Sequence, residues 1–200
     1  DAYPGHSILA EESGAAGKSE FQWIVDPLDG TTNFLHGHPH WAISIALEHK
    51  GEIVSAVVYD PVKDEMFTAE RGAGAWLNDR RLRVSGRRDM AACLFATGLP
   101  FAARGSIGAS LQELARLLPL CAGVRRYGAA ALDLTWVAAG RFDGFWEQAL
   151  HPWDIAAGLL IVREAGGLVG SLLPGDPMAT GSVIAANGAM FEPLAKVLKG

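Results

Sequence analysis

The chain reads as a layered α/β protein, and three observations predict it. Short β-branched and aromatic runs without breakers alternate with longer stretches whose apolar residues return at helical spacing. Glycines punctuate the boundaries between the two kinds of segment, and acidic residues stand at the ends of apolar runs rather than inside them. With 200 residues, 50% hydrophobic and 20% charged, the chain suits one compact domain that buries well over half of its unfolded surface. That single unit, residues 1–200, divides into a first half, 1–105, and a second half, 106–200.

Each element has its own justification. Residues 7–10 and 21–25, Phe-Gln-Trp-Ile-Val in the second case, are short strands. Residues 41–48 and 53–59 are two apolar strands joined by His49-Lys50-Gly51-Glu52, a hairpin in which Gly51 is available for positive φ. Shorter strands follow at 66–69 and 75–77 around Gly72 and Gly74, and 93–97 is a buried strand. Residues 105–108, Gly-Ser-Ile-Gly, are the expected loop between halves. Leu111, Leu114, Leu117 and Leu118 recur at helical spacing over 110–120, and 129–139 is a second helix. Residues 142–147 alternate like a strand, Asp154 opens a helical run that ends at Gly166-Gly167, and 183–186 is a buried strand. The leucine stripe and most of the six Trp are expected in the core.

Composition excludes several functions. A net charge of −5 argues against nonspecific nucleic-acid binding, and the local Arg80, Arg81, Arg83, Arg87 and Arg88 patch reads as a solvated hairpin rim. Cys93 and Cys121 stand in apolar company, as buried thiols of a reducing compartment do. No apolar run approaches membrane-spanning length and no charged-then-apolar leader precedes the chain, so a cytoplasmic protein is expected.

The chemistry concentrates in Asp26-Pro27-Leu28-Asp29-Gly30-Thr31-Thr32-Asn33. The strand over 21–25 delivers Asp26 to its carboxyl end. Pro27 removes a donor, which leaves the Leu28 carbonyl available as a hard oxygen ligand, and Asp29 can converge on the same cation. Gly30 permits close backbone approach, and Thr31-Thr32-Asn33 is N-cap chemistry for a short helix whose amide hydrogens would cradle a phosphate. Asp-Pro and Asp-Gly also punctuate loops, so turn caps are the lesser alternative reading of these two acids. Two further acidic clusters, Glu11-Glu12-Ser13-Gly14 and the Asp154 run, also lie at element ends. A rival site is His36-Gly37-His38-Pro39-His40, whose alternating histidines near Asp29 suit zinc. Pro39 breaks that geometry, and His36, His38 and His40 read better as loop and pocket-rim residues. His151 lies close enough to Asp154 to support it, with a structural role preferred.

Taken together and in order, Glu11-Glu12-Ser13, Asp26 through Phe34, and Trp153-Asp154-Ile155-Ala156-Ala157-Gly158 with Glu164-Ala165-Gly166-Gly167 resemble the three signatures of the inositol monophosphatase family. The resemblance runs from about Tyr3 through the strand at 183–187. It implies an α-β-α-β-α sandwich of the inositol monophosphatase and fructose-bisphosphatase type, and a Mg²⁺-dependent phosphomonoesterase in which water attacks phosphorus. Residue by residue, it implies that Glu11, Asp26 and the Leu28 carbonyl hold one Mg²⁺, and that Asp26, Asp29 and Asp154 hold a second. A weaker third ion would rest mainly on Glu11. Thr31 works with Glu11 to orient and deprotonate water, and Asp29, Gly30 and Thr31 border the phosphate. Glu147 matches the acid that accepts hydrogen bonds from inositol hydroxyls, and Gly128, Ala129 and Ala130 match backbone beside the same pocket. The expected substrate is inositol monophosphate. Histidinol phosphate, a sugar bisphosphate or a phosphoadenosine nucleotide are alternatives within the family, and a non-catalytic metal-binding dimer that docks partners is an alternative of another class. A homodimer is implied, with neither membrane nor nucleic acid as partner. Family members usually carry a helical segment ahead of the Glu-Glu motif; this chain starts almost at that motif, so a sandwich short of part of its first helical layer is expected. Ala129, where many relatives carry Ser or Thr, and Ala10, where they carry Gly, depart from the pattern.

Overall fold

The computed structural model describes residues 3–99 and 107–200. Its first sheet contains β1 (Ser7–Ala10), β2 (Gly14–Ala16), β3 (Phe21–Asp29), β4 (Ala42–His49), β5 (Glu52–Asp60), β6 (Glu65–Glu70), β7 (Gly74–Leu77) and β8 (Arg80–Arg81), with a short helix α1 (Thr31–Leu35) leaving β3. The order is β2-β1-β3-β4-β5-β6-β7-β8, antiparallel except where β1 runs parallel to β3. The second sheet contains β9 (Leu94–Thr97), β10 (Gly123–Arg125), β11 (Gly144–Glu147), β12 (Leu168–Gly170) and β13 (Val183–Ala186) in the order β10-β9-β11-β13-β12. The remaining helices are α2 (Ile107–Leu117), α3 (Ala130–Ala138), α4 (Pro152–Glu164), α5 (Pro177–Thr180) and α6 (Phe191–Lys199).

Helices α3 and α4 lie between the sheets, and their sequences show why. Both are apolar around nearly their whole circumference, which suits a helix with no solvent face. The first sheet meets them with small residues, Ala42, Ala46, Ala56, Ala69 and Ala75, so that α4 can come close. Gly158 allows the two helices to touch: a Cβ there would stand 2.6 Å from Leu134 Cδ1. The second sheet buries both faces. Phe145, Val183 and Ala185 pack toward α3 and α4, while Trp146, Ile184 and Ala186 alternate toward α2 and α6. The layers are therefore sheet, helix pair, sheet, helix pair, and among the described residues α3 and α4 are the principal helices packed on the first sheet. No helix among those residues is long and apolar enough to cross a membrane.

Glu164 ties these layers together. At the last turn of α4 its two carboxylate oxygens accept the Gly72 and Gly74 N–H groups, each at 2.8 Å, and so anchor the β6–β7 turn. Gly166 then takes φ 86°, which ends the helix as a glycine does. The β4–β5 hairpin turns on Lys50 (φ 53°) and Gly51 (φ 81°), both left-handed.

Several expectations are corrected. The strand that begins at Phe21 does not stop at residue 25; it continues to Asp29 across an irregularity between Asp26 and Asp29, where Pro27 has no N–H to give the ladder. The Leu stripe is only half core: Leu117 is buried and Leu114 packs beside it, but Leu111 and Leu118 are about half exposed, and the helix over 107–117 gives way to a 3-10 turn at Leu118–Leu120. Of the expected inter-half loop, Gly105 and Ser106 lie outside the described residues, while Ile107 and Gly108 already belong to α2. Among the tryptophans only Trp146 is fully buried, since the others edge their layers or, like Trp76, face outward. Cys93 is buried as expected, but Cys121 is only partly so.

Candidate active site

The site forms where β1 and β3 end side by side and the amino ends of α3 and α4 point at them. Because Ala10 pairs with Val25, the next residues, Glu11 and Asp26, are neighbours; the Glu11 N–H donates to the Val25 carbonyl at 3.2 Å. Asp26 is 1% exposed, and its Oδ1 accepts the Leu28 N–H at 2.9 Å. The β-irregularity then turns the chain so that Asp29 faces the same cavity, where its Oδ2 accepts the Ala131 N–H of α3 at 2.8 Å. Asp154, in the first turn of α4, accepts the His151 N–H at 2.7 Å, which locks that helix start.

A cavity of about 490 Å³ lies between these groups. Its walls include Glu11, Asp26, Leu28, Asp29, Gly30, Thr31, Gly128, Ala130, Glu147 and Asp154. Ala129 does not line it. That residue is wholly buried behind the wall, where a Cβ on Gly30 would meet the Ala129 Cβ at 3.3 Å and the His40 carbonyl at 3.1 Å. Gly30 (φ 89°), not a threonine, is the N-cap of α1 and makes no side-chain cap bond. Thr31 instead donates its hydroxyl back to the Leu28 carbonyl at 3.0 Å.

Electrostatics mark the cavity as unusual. Burial, reinforced by Glu11 and Asp154, raises the Asp26 carboxyl to about 7 against the help of the Leu28 N–H. Burial, then Asp26 and Asp154, also raises Asp29 well above the carboxylate range. Glu147 is pushed up to about 8 by burial and by Asp154, with Arg126 opposing. Carboxylates crowded in this way resist ionisation unless cations accompany them. An all-oxygen donor set with one backbone carbonyl, opening on a cavity with room for water, fits Mg²⁺, which keeps several waters and takes few protein ligands. Among the described residues no three His, Cys, Asp or Glu side chains close around one point as a finished metal cage would.

The structure separates the histidines. His36 and His38 are exposed on the loop after α1, whereas His40 is not a rim residue: it is 9% exposed, packed against Tyr127 and Trp136, and burial together with Lys63 lowers it to about 4. His151 is exposed, stacked on Trp153, and meets Asp154 through its backbone.

Some neighbours of the site carried no readable signal in the sequence. Asn33 joins two segments far apart in sequence, donating to the His40 and Tyr127 carbonyls, each at 2.8 Å. Asp133 is 1% exposed in α3, and its two carboxyl oxygens have no hydrogen-bond partner among the described residues; burial, then Glu147, raises its carboxyl well above the ordinary value. A lone acid within Ala-Ala-Leu-Asp-Leu was the available hint.

The family model described as the inositol monophosphatase family matches residues 1–199. The chain belongs to that family. Its members are phosphoric monoester hydrolases, and this chain is one. It is 53% identical to the inositol-1-monophosphatase of Mesorhizobium japonicum over 201 aligned positions, covering 99% of this chain and 76% of that protein. It is 51% identical to a putative Nus factor SuhB of Neisseria meningitidis serogroup B, covering 99% and 77%. The crystal structure of the extragenic suppressor protein SuhB from Bartonella henselae superimposes with a TM-score of 0.95 at 51% identity, covering 99% of this chain and 78% of that one.

Proposed function

We propose that this family member hydrolyses a small phosphomonoester in a Mg²⁺-dependent reaction, with inositol monophosphate as its substrate. The observation that supports it most is the convergence of Glu11, Asp26, Asp29 and Asp154, from distant parts of the chain, on one cavity that also holds Thr31 and Glu147. Glu11, Asp26 and the Leu28 carbonyl would hold one ion, and Asp26, Asp29 and Asp154 another, with a weaker third on Glu11. Bound Mg²⁺ supplies charge neutralisation for phosphoryl oxygens and a more acidic water.

The chain's own groups do the rest. Because the Thr31 hydroxyl spends its proton on the Leu28 carbonyl, its oxygen is oriented to accept a hydrogen bond from the attacking water. Glu11, exposed at the cavity mouth, is placed to take the proton that water loses. Gly30, Thr31, Thr32 and Asn33 line the cavity at the start of α1, where free amide groups would suit phosphoryl oxygens, with Asp29 held beside them by Ala131. Glu147, across the cavity, suits the paired hydroxyl donors of a polyol, with Gly128 and Ala130 as backbone walls and Ala129 packed behind.

The test is phosphate release from myo-inositol 1-phosphate with and without Mg²⁺, alongside histidinol phosphate, a sugar bisphosphate and a phosphoadenosine nucleotide. Release is expected from the inositol ester and is expected to vanish in Asp154→Asn; unchanged turnover in that variant refutes the reading. We also propose a homodimer, which sedimentation checks.

A further inference from the structure

Glu147 stands between two fixed neighbours, and their positions set the face of the strand on which its carboxylate lies. Strand β11 lies parallel to β9, with Trp146 paired to Thr97. The Thr97 hydroxyl, 2% exposed, donates to the Trp146 carbonyl at 2.8 Å. On the far face of the strand, the buried Glu113 of α2 accepts the Trp146 indole N–H at 2.9 Å and the Gln148 amide at 2.7 Å. Both residues flanking Glu147 are thus fixed, and alternation directs Glu147 the other way.

What it meets there is Gly98. A Cβ built on Gly98 would coincide with the Glu147 carboxyl group, its three nearest atoms being Oε1, Cδ and Oε2. The Gly98 backbone is not in the left-handed region, so its φ does not call for glycine. The residue is small because the carboxylate occupies that space.

We propose that Gly98 is a specificity-determining residue: its missing side chain is the seat of the Glu147 carboxylate, and any larger residue turns that carboxylate away from the alcohol part of the substrate. The chain would then lose its preference for polyol phosphates over phosphomonoesters whose alcohol carries no hydroxyl donors. This rests on the reading of Glu147 given above. The obstruction falls on the end of a flexible side chain, so the substitution tells on selectivity before stability.

The experiment compares kcat/KM for myo-inositol 1-phosphate and p-nitrophenyl phosphate, both with Mg²⁺, in the parent, Gly98→Ala, Glu147→Ala and the double variant. The ratio of the two values is expected to fall about tenfold or more in each single variant, the worth of a hydrogen bond to a charged group. The double variant is expected to fall no further, because both changes remove the same contact. A drop in Glu147→Ala without one in Gly98→Ala overturns this proposal alone, as do losses that multiply in the double variant. An unchanged ratio in Glu147→Ala overturns the reading of the pocket and this proposal with it. Should Gly98→Ala fail to fold, the double variant, which removes the collision, is expected to fold by circular dichroism; its failure also overturns the proposal.

Discussion

Asp26→Asn should make the metal-free protein more stable while ending catalysis. Asp26 is 1% exposed, and its carboxyl is raised from 3.8 to about 7. Below 3.8 both folded and unfolded chains hold the proton, and above about 7 neither does. Between these values the folded chain keeps a proton that the unfolded chain has released, so stability falls as pH rises through the window. At ~1.36 kcal/mol per pH unit the loss reaches about 4 kcal/mol at pH 8. The Asn side chain keeps the oxygen that accepts the Leu28 N–H and carries no charge, but its amide must still be buried, so about 2 kcal/mol is the expected gain. In EDTA at pH 8 that is a rise in Tm of about 5 °C for a chain of this size, shrinking toward zero near pH 4. Millimolar Mg²⁺ should reverse the order, because the parent gains binding energy that the variant has lost. Melting curves at pH 4, 6 and 8, with EDTA and with Mg²⁺, decide the matter. An Asn variant that melts below the parent in EDTA at pH 8 would show that the Asp26 charge is not held there against burial and its acidic neighbours, and the argument for a cation-seeking cavity would go with it.

Three further outcomes follow from the same structure. Glu164→Ala leaves the Gly72 and Gly74 N–H groups without their acceptor and should cost about 2 kcal/mol in urea unfolding, with kcat per folded molecule retained; a loss of kcat would place Glu164 in the catalytic machinery. Gly158→Val drives a branched side chain into Leu134 and should cost about 2 kcal/mol or more, read as a lowered Tm; an unchanged Tm would mean that α3 and α4 are not in contact there. His40 is lowered from 6.5 to about 4, so the unfolded chain takes up a proton that the folded chain refuses, and its share of stability is lost as pH falls through that window. His40→Phe should flatten the acid limb of stability between pH 6.5 and 4, and an acid limb as steep as the parent's would count against a buried neutral imidazole.

Three acids of the site were legible because each stands at an end of an apolar run: Glu11 after Ile8-Leu9-Ala10, Asp26 after Trp23-Ile24-Val25, and Asp154 at the head of an Ala- and Leu-rich helix. Termini of elements are where backbone groups lack partners and where side chains can face a crevice, so composition and order announce them. The helices were misjudged where exposure decides. Leu111 and Leu118 keep helical spacing, yet each is left about half exposed. His40 looked like a loop residue because nothing local says that Tyr127 and Trp136 will cover it.

By itself, then, the amino-acid order determined the family and the alternation of strands and helices, and it singled out the carboxylates that the fold brings to one cavity, since periodicity and element ends are properties of a few adjacent residues. Only the tertiary structure decided that Glu164 would hold a turn some ninety residues away, that Ala129 would stand behind the cavity wall, and that Gly98 would make room for Glu147. These depend on which surfaces meet when the layers close, and close packing turns a missing Cβ just past the end of one strand into the position of a carboxylate on the next.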